Sequence, residues 1–388
     1  MRRRIAIHAP TIGFALHHYL KREIEALHEV HDVIVSCVVE LTDGWTCPCP
    51  VLSAAKIHSS ELAFPATWDR VTTNYPVLPQ PAKDRFAEML ASGMVERYLA
   101  DHQTEGVFAQ WLDDTLPLVE LAGRMGLPYI VRCHGTDIAA GILQPSTRTL
   151  YEAYGRVRAV LTGSKYANSL LPSCGIPESV GRVAPFALDP PARSASPGRN
   201  PNRVNVLTVG RIELMKGAFF SLVGFKIAAD LDPRLFLNVV GTGTIFPAYR
   251  QLVDALDLGT KVKLWGFLPN DGPELAELWE TSDIFLQSSV VVPTESSIET
   301  FCVGALEAMA SGLATIVSDS QALPELTDGG TCGVVVPAGN SAAIGKSLLE
   351  LARDPEQLAR LGAMARKRVR EHHTKANQRH AVVSALFG

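Results

Sequence analysis

Two carboxylates eight positions apart open the chemistry of this chain: Glu299 and Glu307 in Glu299-Thr300-Phe301-Cys302-Val303-Gly304-Ala305-Leu306-Glu307-Ala308-Met309-Ala310-Ser311-Gly312. Eight residues make about 2.2 helical turns, so the pair cannot share one helical stripe and is spread along a site. Glu299 falls in the loop ahead of an apolar helix, near its amide donors, and Glu307 lies deeper on that helix. A carboxylate only accepts hydrogen bonds, which suits the two hydroxyls of a ribose diol. From these two residues alone, a capping carboxylate followed by an incidental helical Glu reads equally well.

A second constellation is Gly210-Arg211-Ile212-Glu213-Leu214-Met215-Lys216-Gly217, directly after the apolar run Val206 to Val209. Arg offers a fork to phosphate oxygens, Lys a point charge, and a following helix N-terminus adds its positive end, so the loop suits a diphosphate. A polar strand-to-helix turn would look the same. Val239-Val240-Gly241-Thr242-Gly243-Thr244 has G-x-G but not the third glycine of a dinucleotide fingerprint, and reads as a tight turn. Asp230-Leu231-Asp232 has the D-x-D form of a metal-diphosphate clamp, but it precedes the strand beginning near Arg234, at the wrong end of a sheet. We read a solvated turn there and expect no metal, because Arg211 and Lys216 can neutralise a leaving diphosphate. His134, in His134-Gly135-Thr136-Asp137, taken by itself is a core or loop histidine. Cys47 and Cys49, without further ligands nearby, read as free thiols in a loop.

These residues need strands to end where they begin. Arg4 to Ala9, Val33 to Val39, Gly106 to Ala109 and Leu127 to Arg132 read as short apolar strands, with helices over Leu16 to Leu27 and Leu116 to Met125. After the proline-rich stretch Pro190 to Pro201 the alternation restarts: strands at Val204 to Val209, Leu235 to Val240, Val262 to Trp265, Ile284 to Gln287 and Ala314 to Val317, with helices from about Gly217 and over Pro247 to Leu256. Such a pattern predicts an α/β fold of two doubly wound parallel sheets, with ligands beyond the carboxyl ends of the strands.

Composition narrows the classes. The 388 residues carry 36 Lys plus Arg against 40 Asp plus Glu, a net charge of −4, and 47% hydrophobic residues. That excludes a disordered chain and gives no general attraction to nucleic acid. Met1-Arg2-Arg3-Arg4 resembles the start of a signal peptide, but His8 and Pro10 interrupt the apolar stretch, which reads as a strand. No apolar run approaches the ~18 residues of a membrane span. Seven scattered cysteines argue for a reducing compartment, hence a cytoplasmic protein. The basic stretch Ala365 to His380 reads as a solvated helix face, with contact to an anionic membrane surface as the alternative.

The E-x7-E spacing, Glu307-Ala308-Met309-Ala310-Ser311-Gly312 and the Arg211 to Lys216 loop together resemble the retaining GT-B glycosyltransferases that use nucleotide sugars, the family 4-like group. The resemblance takes in Gly266-Phe267-Leu268-Pro269 and Ser282-Asp283-Ile284-Phe285-Leu286. In the first half it reaches His134 to Asp137 and Thr162-Gly163-Ser164, most similar to the branch that builds bacterial exopolysaccharides and other surface glycans. It implies two Rossmann-like domains facing across a cleft: an acceptor domain over 1–190, a linker over 191–203, a nucleotide-sugar domain over 204–365, and a helical segment over 366–388 that packs back on the first domain. It also implies that Arg211 and Lys216 hold the donor diphosphate, Glu307 the ribose and Glu299 the transferred sugar. Amides around Val303 and Gly304 approach phosphate, Leu268 presents backbone to the base, and His134 faces the donor sugar. The partners implied are a nucleoside diphosphate sugar and a sugar or lipid-linked sugar acceptor, with no metal or other cofactor.

The first loop, Thr11-Ile12-Gly13-Phe14, offers one glycine where the family often has two, so Gly13 takes the phosphate-facing place; Cys302 stands where glycine is frequent. A sugar-nucleotide epimerase of the same fold, or a non-catalytic donor-binding partner of another transferase, would use the same donor site. An NAD-dependent oxidoreductase fits less well, for want of the rest of the fingerprint.

Overall fold

The structure is a computed structural model that describes residues 2–14, 17–62, 78–113, 115–188, 195, 200–293 and 298–388. It divides into two units. The first comprises Met1–Ala187, Thr294–Thr300 and Lys375–Gly388; the second comprises Leu188–Pro293 and Phe301–Thr374.

The first unit is built on β1 (Arg4–Ile12), β2 (Asp32–Leu41), β3 (Val51–Ile57), β4 (Gly106–Gln110), β5 (Tyr129–Arg132), β6 (Ala159–Thr162) and β7 (Gly181–Val183). They run parallel in the order β3-β2-β1-β4-β5-β6-β7. Alternate side chains of β1 enter two cores. Ile5, Ile7 and Ala9 pack with Leu20, Ile24 and Leu27 of helix His18–His28 and with Val382 and Leu386 of helix Lys375–Phe387. Ala6 faces the core of Phe86, Val95 and Leu118. Burial on both faces is why these strands read as unbroken apolar runs. β1 continues past Pro10 to Ile12 because its ladder with β4 ends at His8, so the proline lies where the strand is bonded on one side only.

The second unit repeats the plan with β8 (Val204–Val209), β9 (Leu235–Val240), β10 (Val262–Gly266), β11 (Ile284–Gln287), β12 (Ala314–Ser318) and β13 (Val334–Val336). They are parallel in the order β10-β9-β8-β11-β12-β13. Val206, Leu237 and Val239 face one core with Leu222, Phe225 and Ile344. Leu207, Phe285 and Val317 face the other, with Leu306 and Met309. In both sheets the strand order reverses beside the first strand, between β1 and β4 and between β8 and β11, the place where doubly wound sheets open a crevice.

Three expectations are corrected. The basic stretch is two helices, Pro355–His372 and Lys375–Phe387, and the units divide after Thr374, not at residue 365. Its cations are not all solvated: Arg368 donates to the carbonyls of Leu326 and Glu325, each at 2.9 Å, and Lys375 and Arg379 pair with Glu29 at 3.0 and 2.7 Å. In the stretch read as a linker, Ala195 donates its N–H to Ser311 at 2.9 Å and packs against the second unit's core; residues 191–194 and 196–199 lie outside the described residues. Among the described residues, no helix is long and apolar enough to cross a membrane.

Candidate functional site

In the second unit the loop after β8 is clamped from both sides. A Cβ at Gly241, where φ is +130°, would lie 1.9 Å from the Gly210 carbonyl, so only glycine lets the turn after β9 support the Arg211 loop. Glu213 fastens the two loops by accepting the Thr244 N–H at 3.1 Å and the Thr244 hydroxyl. The G-x-G turn thus serves loop packing. Arg211 projects from this platform beside a cavity of about 30 Å³ lined by Gly210, Lys216, Ser221, Tyr249 and Gln287. Its Nη1 is a buried atom with no hydrogen-bond partner among the described residues.

Lys216 ends the short turn Leu214–Lys216, and its carbonyl accepts Gln287 Nε2 at 3.3 Å. Helix Val303–Ser311 starts beside the end of β8: a Cβ on Gly304 would lie 2.8 Å from the Val209 carbonyl. Val303 and Gly304 therefore bring the helix's first amides to the Arg211 loop, and Glu307 sits one turn further in, half-buried. Leu268 follows β10, partly buried against the Leu275 and Phe285 core. The order β10-β9-β8-β11 lays Leu268, the glycine turn, Arg211 and Lys216, and this helix along the carboxyl edge of one sheet. Arg211, Lys216 and the helix N-terminus offer this edge donors for an anion.

In the first unit His134 follows β5 and precedes helix Gly135–Leu143. Asp137 holds it there, accepting the amides of His134 (2.6 Å), Leu112 (3.0 Å) and Ile138 (3.0 Å). The His134 ring stacks on Trp111 with centroids 4.5 Å apart, and Tyr19 and Phe186 lie at 5.4 and 6.0 Å. Burial, then the nearby Arg132 and His17, push the His134 pKa well below the ordinary histidine range. Burial also raises that of Asp137. A Cβ on Gly135 would lie 2.1 Å from the Ile298 carbonyl, and Ser164 Oγ donates to the Thr300 carbonyl at 2.8 Å. Glu299, only 4% exposed, is thereby anchored on both sides in the unit that carries His134. Gly13 follows β1 with φ +94°, backed by Gly44.

The expected residues thus fall into two groups. Arg211, Lys216, Leu268, Val303, Gly304 and Glu307 share the second unit; Gly13, His134 and Glu299 share the first. Placing Glu299 with Glu307 in one C-terminal domain is corrected, because the chain returns to the first unit at Thr294–Thr300. Asp230 is bonded by Lys226 at 2.7 Å and Asp232 by Arg234 at 2.9 Å, both before β9. Sequence reading missed Trp111, Tyr19 and Phe186. The one signal for Trp111 is its place at the end of β4; its φ of +65°, rare for a bulky residue, is visible only in the structure.

Residues 191–368 match the family model described as glycosyl transferases group 1. The chain is 25% identical over 249 residues to the amylovoran biosynthesis glycosyltransferase AmsK of Erwinia amylovora, covering 63% of this chain and 59% of AmsK. It is also 25% identical over 308 residues to the GDP-mannose-dependent alpha-(1-6)-phosphatidylinositol monomannoside mannosyltransferase of Mycolicibacterium smegmatis, covering 76% and 79%. Among solved structures, HepE of Anabaena in complex with UDP and glucose matches with a TM-score of 0.74 over 99% of both chains, at 14% identity. The chain therefore takes the GT-B fold, and its residues 191–368 are similar to the glycosyl transferases group 1 family.

Proposed function

We propose that this protein is a glycosyltransferase that moves a sugar from a nucleoside diphosphate sugar to a hydroxyl acceptor in bacterial surface polysaccharide synthesis, with retention of anomeric configuration and without a divalent metal. The observation that carries the reading is the buried Arg211 Nη1, without a hydrogen-bond partner among the described residues, at the switch point of the second sheet beside Lys216 and the start of helix Val303–Ser311. A buried guanidinium nitrogen is costly to leave unbonded, and a phosphate oxygen meets its geometry. The names of the relatives supply the donor class: one is GDP-mannose-dependent, and HepE was solved with UDP and glucose.

In this reading Arg211 and Lys216 hold the diphosphate, Val303 and Gly304 offer amides to it, Glu307 takes the ribose and Leu268 borders the base. By the resemblance, Gly13 is assigned to the phosphate, His134 and Glu299 to the transferred sugar, and the acceptor to the first unit. Retention rests on the E-x7-E resemblance. The C1–O bond to phosphate breaks as the acceptor oxygen bonds C1 on the same face, and the acceptor proton passes to the departing phosphate oxygen.

A thermal-shift screen of UDP, GDP, ADP and dTDP tests the reading. At a hundredfold excess over Kd the matching nucleotide should add about 2.7 kcal/mol of stability. No shift with any of the four, or a free epimerised sugar formed without acceptor, would replace it. The product's anomeric proton coupling should match the donor's. Activity should survive EDTA, since the two cations face the leaving group; complete loss restored by Mg²⁺ or Mn²⁺ would overturn metal independence. Glu307→Gln keeps shape but loses the charge behind hydrogen bonds worth roughly 1.5 to 3 kcal/mol. Donor affinity should drop about ten- to a hundredfold by calorimetry; unchanged affinity in a folded variant would remove the ribose assignment.

A further inference from the structure

Behind His134 lies a buried polar chain to which the reading above assigns no role. Glu23 and Arg132 are both 0% exposed and are bonded at 2.8 Å from Nη2 and 3.3 Å from Nε. Glu23 also accepts Gln110 Nε2 at 2.8 Å and Gln378 Nε2 at 3.0 Å. Arg132 donates Nη1 to the Ala184 carbonyl at 2.6 Å, and its guanidinium lies 4.7 Å from the centre of the Phe186 ring. The four side chains come from helix His18–His28, β4, β5 and helix Lys375–Phe387, all within the first unit.

The donor and acceptor inventory settles their orientation. A carboxylate paired with a guanidinium only accepts, so Gln110 must turn its NH₂ to Glu23 and its Oε1 to His134 Nε2, 3.3 Å away. An amide oxygen cannot donate, so the proton of that contact belongs to His134 Nε2 and the lone pair to Nδ1. Gln378 is fixed by the same logic, and its Oε1 is buried with no hydrogen-bond partner among the described residues. Leaving a buried carbonyl unbonded is unfavourable, so this contact is kept at a local cost.

We propose that Glu23, Gln110 and Gln378 are positioning residues that hold His134 as its Nε2–H tautomer with a fixed ring orientation, and that docking of the C-terminal helix through Gln378 completes the arrangement. The functional weight of the proposal rests on His134 serving the donor sugar; its chemistry does not. The polar chain runs Gln378, Glu23, Gln110, His134, and every link but the last is a bond to one carboxylate.

The test uses the full chain labelled with ¹⁵N-histidine and long-range ¹H–¹⁵N correlation spectra, beside transfer kinetics and nucleotide calorimetry. The wild type should show His134 as the Nε2–H form with a slowly exchanging ring proton. Gln110→Leu should abolish that protected proton and lower kcat about tenfold or more, with nucleoside diphosphate affinity changed less than about threefold because Arg211 and Lys216 lie in the other unit. Gln378→Leu, on a peripheral helix, should weaken the same resonance, and provides a second variant if Gln110→Leu does not fold. An Nδ1–H wild-type spectrum, or an unchanged protected Nε2–H in both variants, would overturn the proposal. Loss of the protected proton with transfer unchanged would uphold the positioning and instead remove His134 from the reaction.

Discussion

Replacing Arg211 by Ala should lower kcat/KM for the donor by roughly a hundred- to a thousandfold, the usual cost of removing one donor aimed at developing charge. In the proposed reaction, breaking the sugar–phosphate bond puts charge on the departing diphosphate, and the guanidinium would meet it from a site where its Nη1 has no hydrogen-bond partner among the described residues. The transition state should therefore lose more than the ground state, and kcat should fall as well as affinity. Calorimetry separates the parts of the ligand: nucleoside diphosphate should bind far more weakly, while the nucleoside should bind as before, since Glu307 and Leu268 are untouched. The loop should survive, because its clamp is made by Glu213, Thr244 and Gly241. Equal diphosphate binding in wild type and a folded variant would sink the assignment of this edge as the diphosphate site.

Lowering the pH from 7 to 5 should cost the first unit about 4 kcal/mol of stability. Burial depresses the pKa of His8 to about 3 and that of His17 to about 3, and pushes His134 well below its ordinary range. His8 shows why: Nδ1 is 3.0 Å from Ser36 Oγ, while Nε2 is buried with no hydrogen-bond partner among the described residues to receive a second N–H. The unfolded chain takes up these protons near pH 6.5 and the native unit refuses them. Stability is therefore complete above about pH 6.5 and falls as the pH drops toward the native values, by about 2 kcal/mol at pH 5 for each of His8 and His17. Asp137, whose pKa is raised by burial, acts with the opposite sign to His134. Calorimetric scans at pH 7, 6 and 5 should show this loss, and His8→Asn should remove about one proton's worth of the slope. A stability unchanged between pH 7 and 5 would mean that these rings find water or partners on protonation.

Strand register and site residues were not equally legible. β8, β9 and β11 have the limits read from their apolar runs, as does helix Leu116–Met125, because burial on both faces makes a parallel strand conspicuous. β3 escaped, being an edge strand of half-buried residues with Lys56 exposed among them. The helical pattern of the basic C-terminal run was legible, but its break at His373 and Thr374 was not: nothing local shows that Arg368 is held by the Leu326 and Glu325 carbonyls while Arg379 is held by Glu29.

By itself the sequence determined the two doubly wound sheets and the Arg211 to Lys216 loop, because strand, cations and helix start there are neighbours in the chain and periodicity is a local property. Only the tertiary structure decided that Glu299 is anchored in the unit of His134, through the close approach of Gly135 to Ile298 and the bond from Ser164 to Thr300. The same holds for the wall of Trp111, Tyr19 and Phe186 and for the Glu23 cluster behind it, whose four members lie on separate elements. Such contacts join residues far apart in the chain, and packing and the satisfaction of buried polar groups, not spacing, select them.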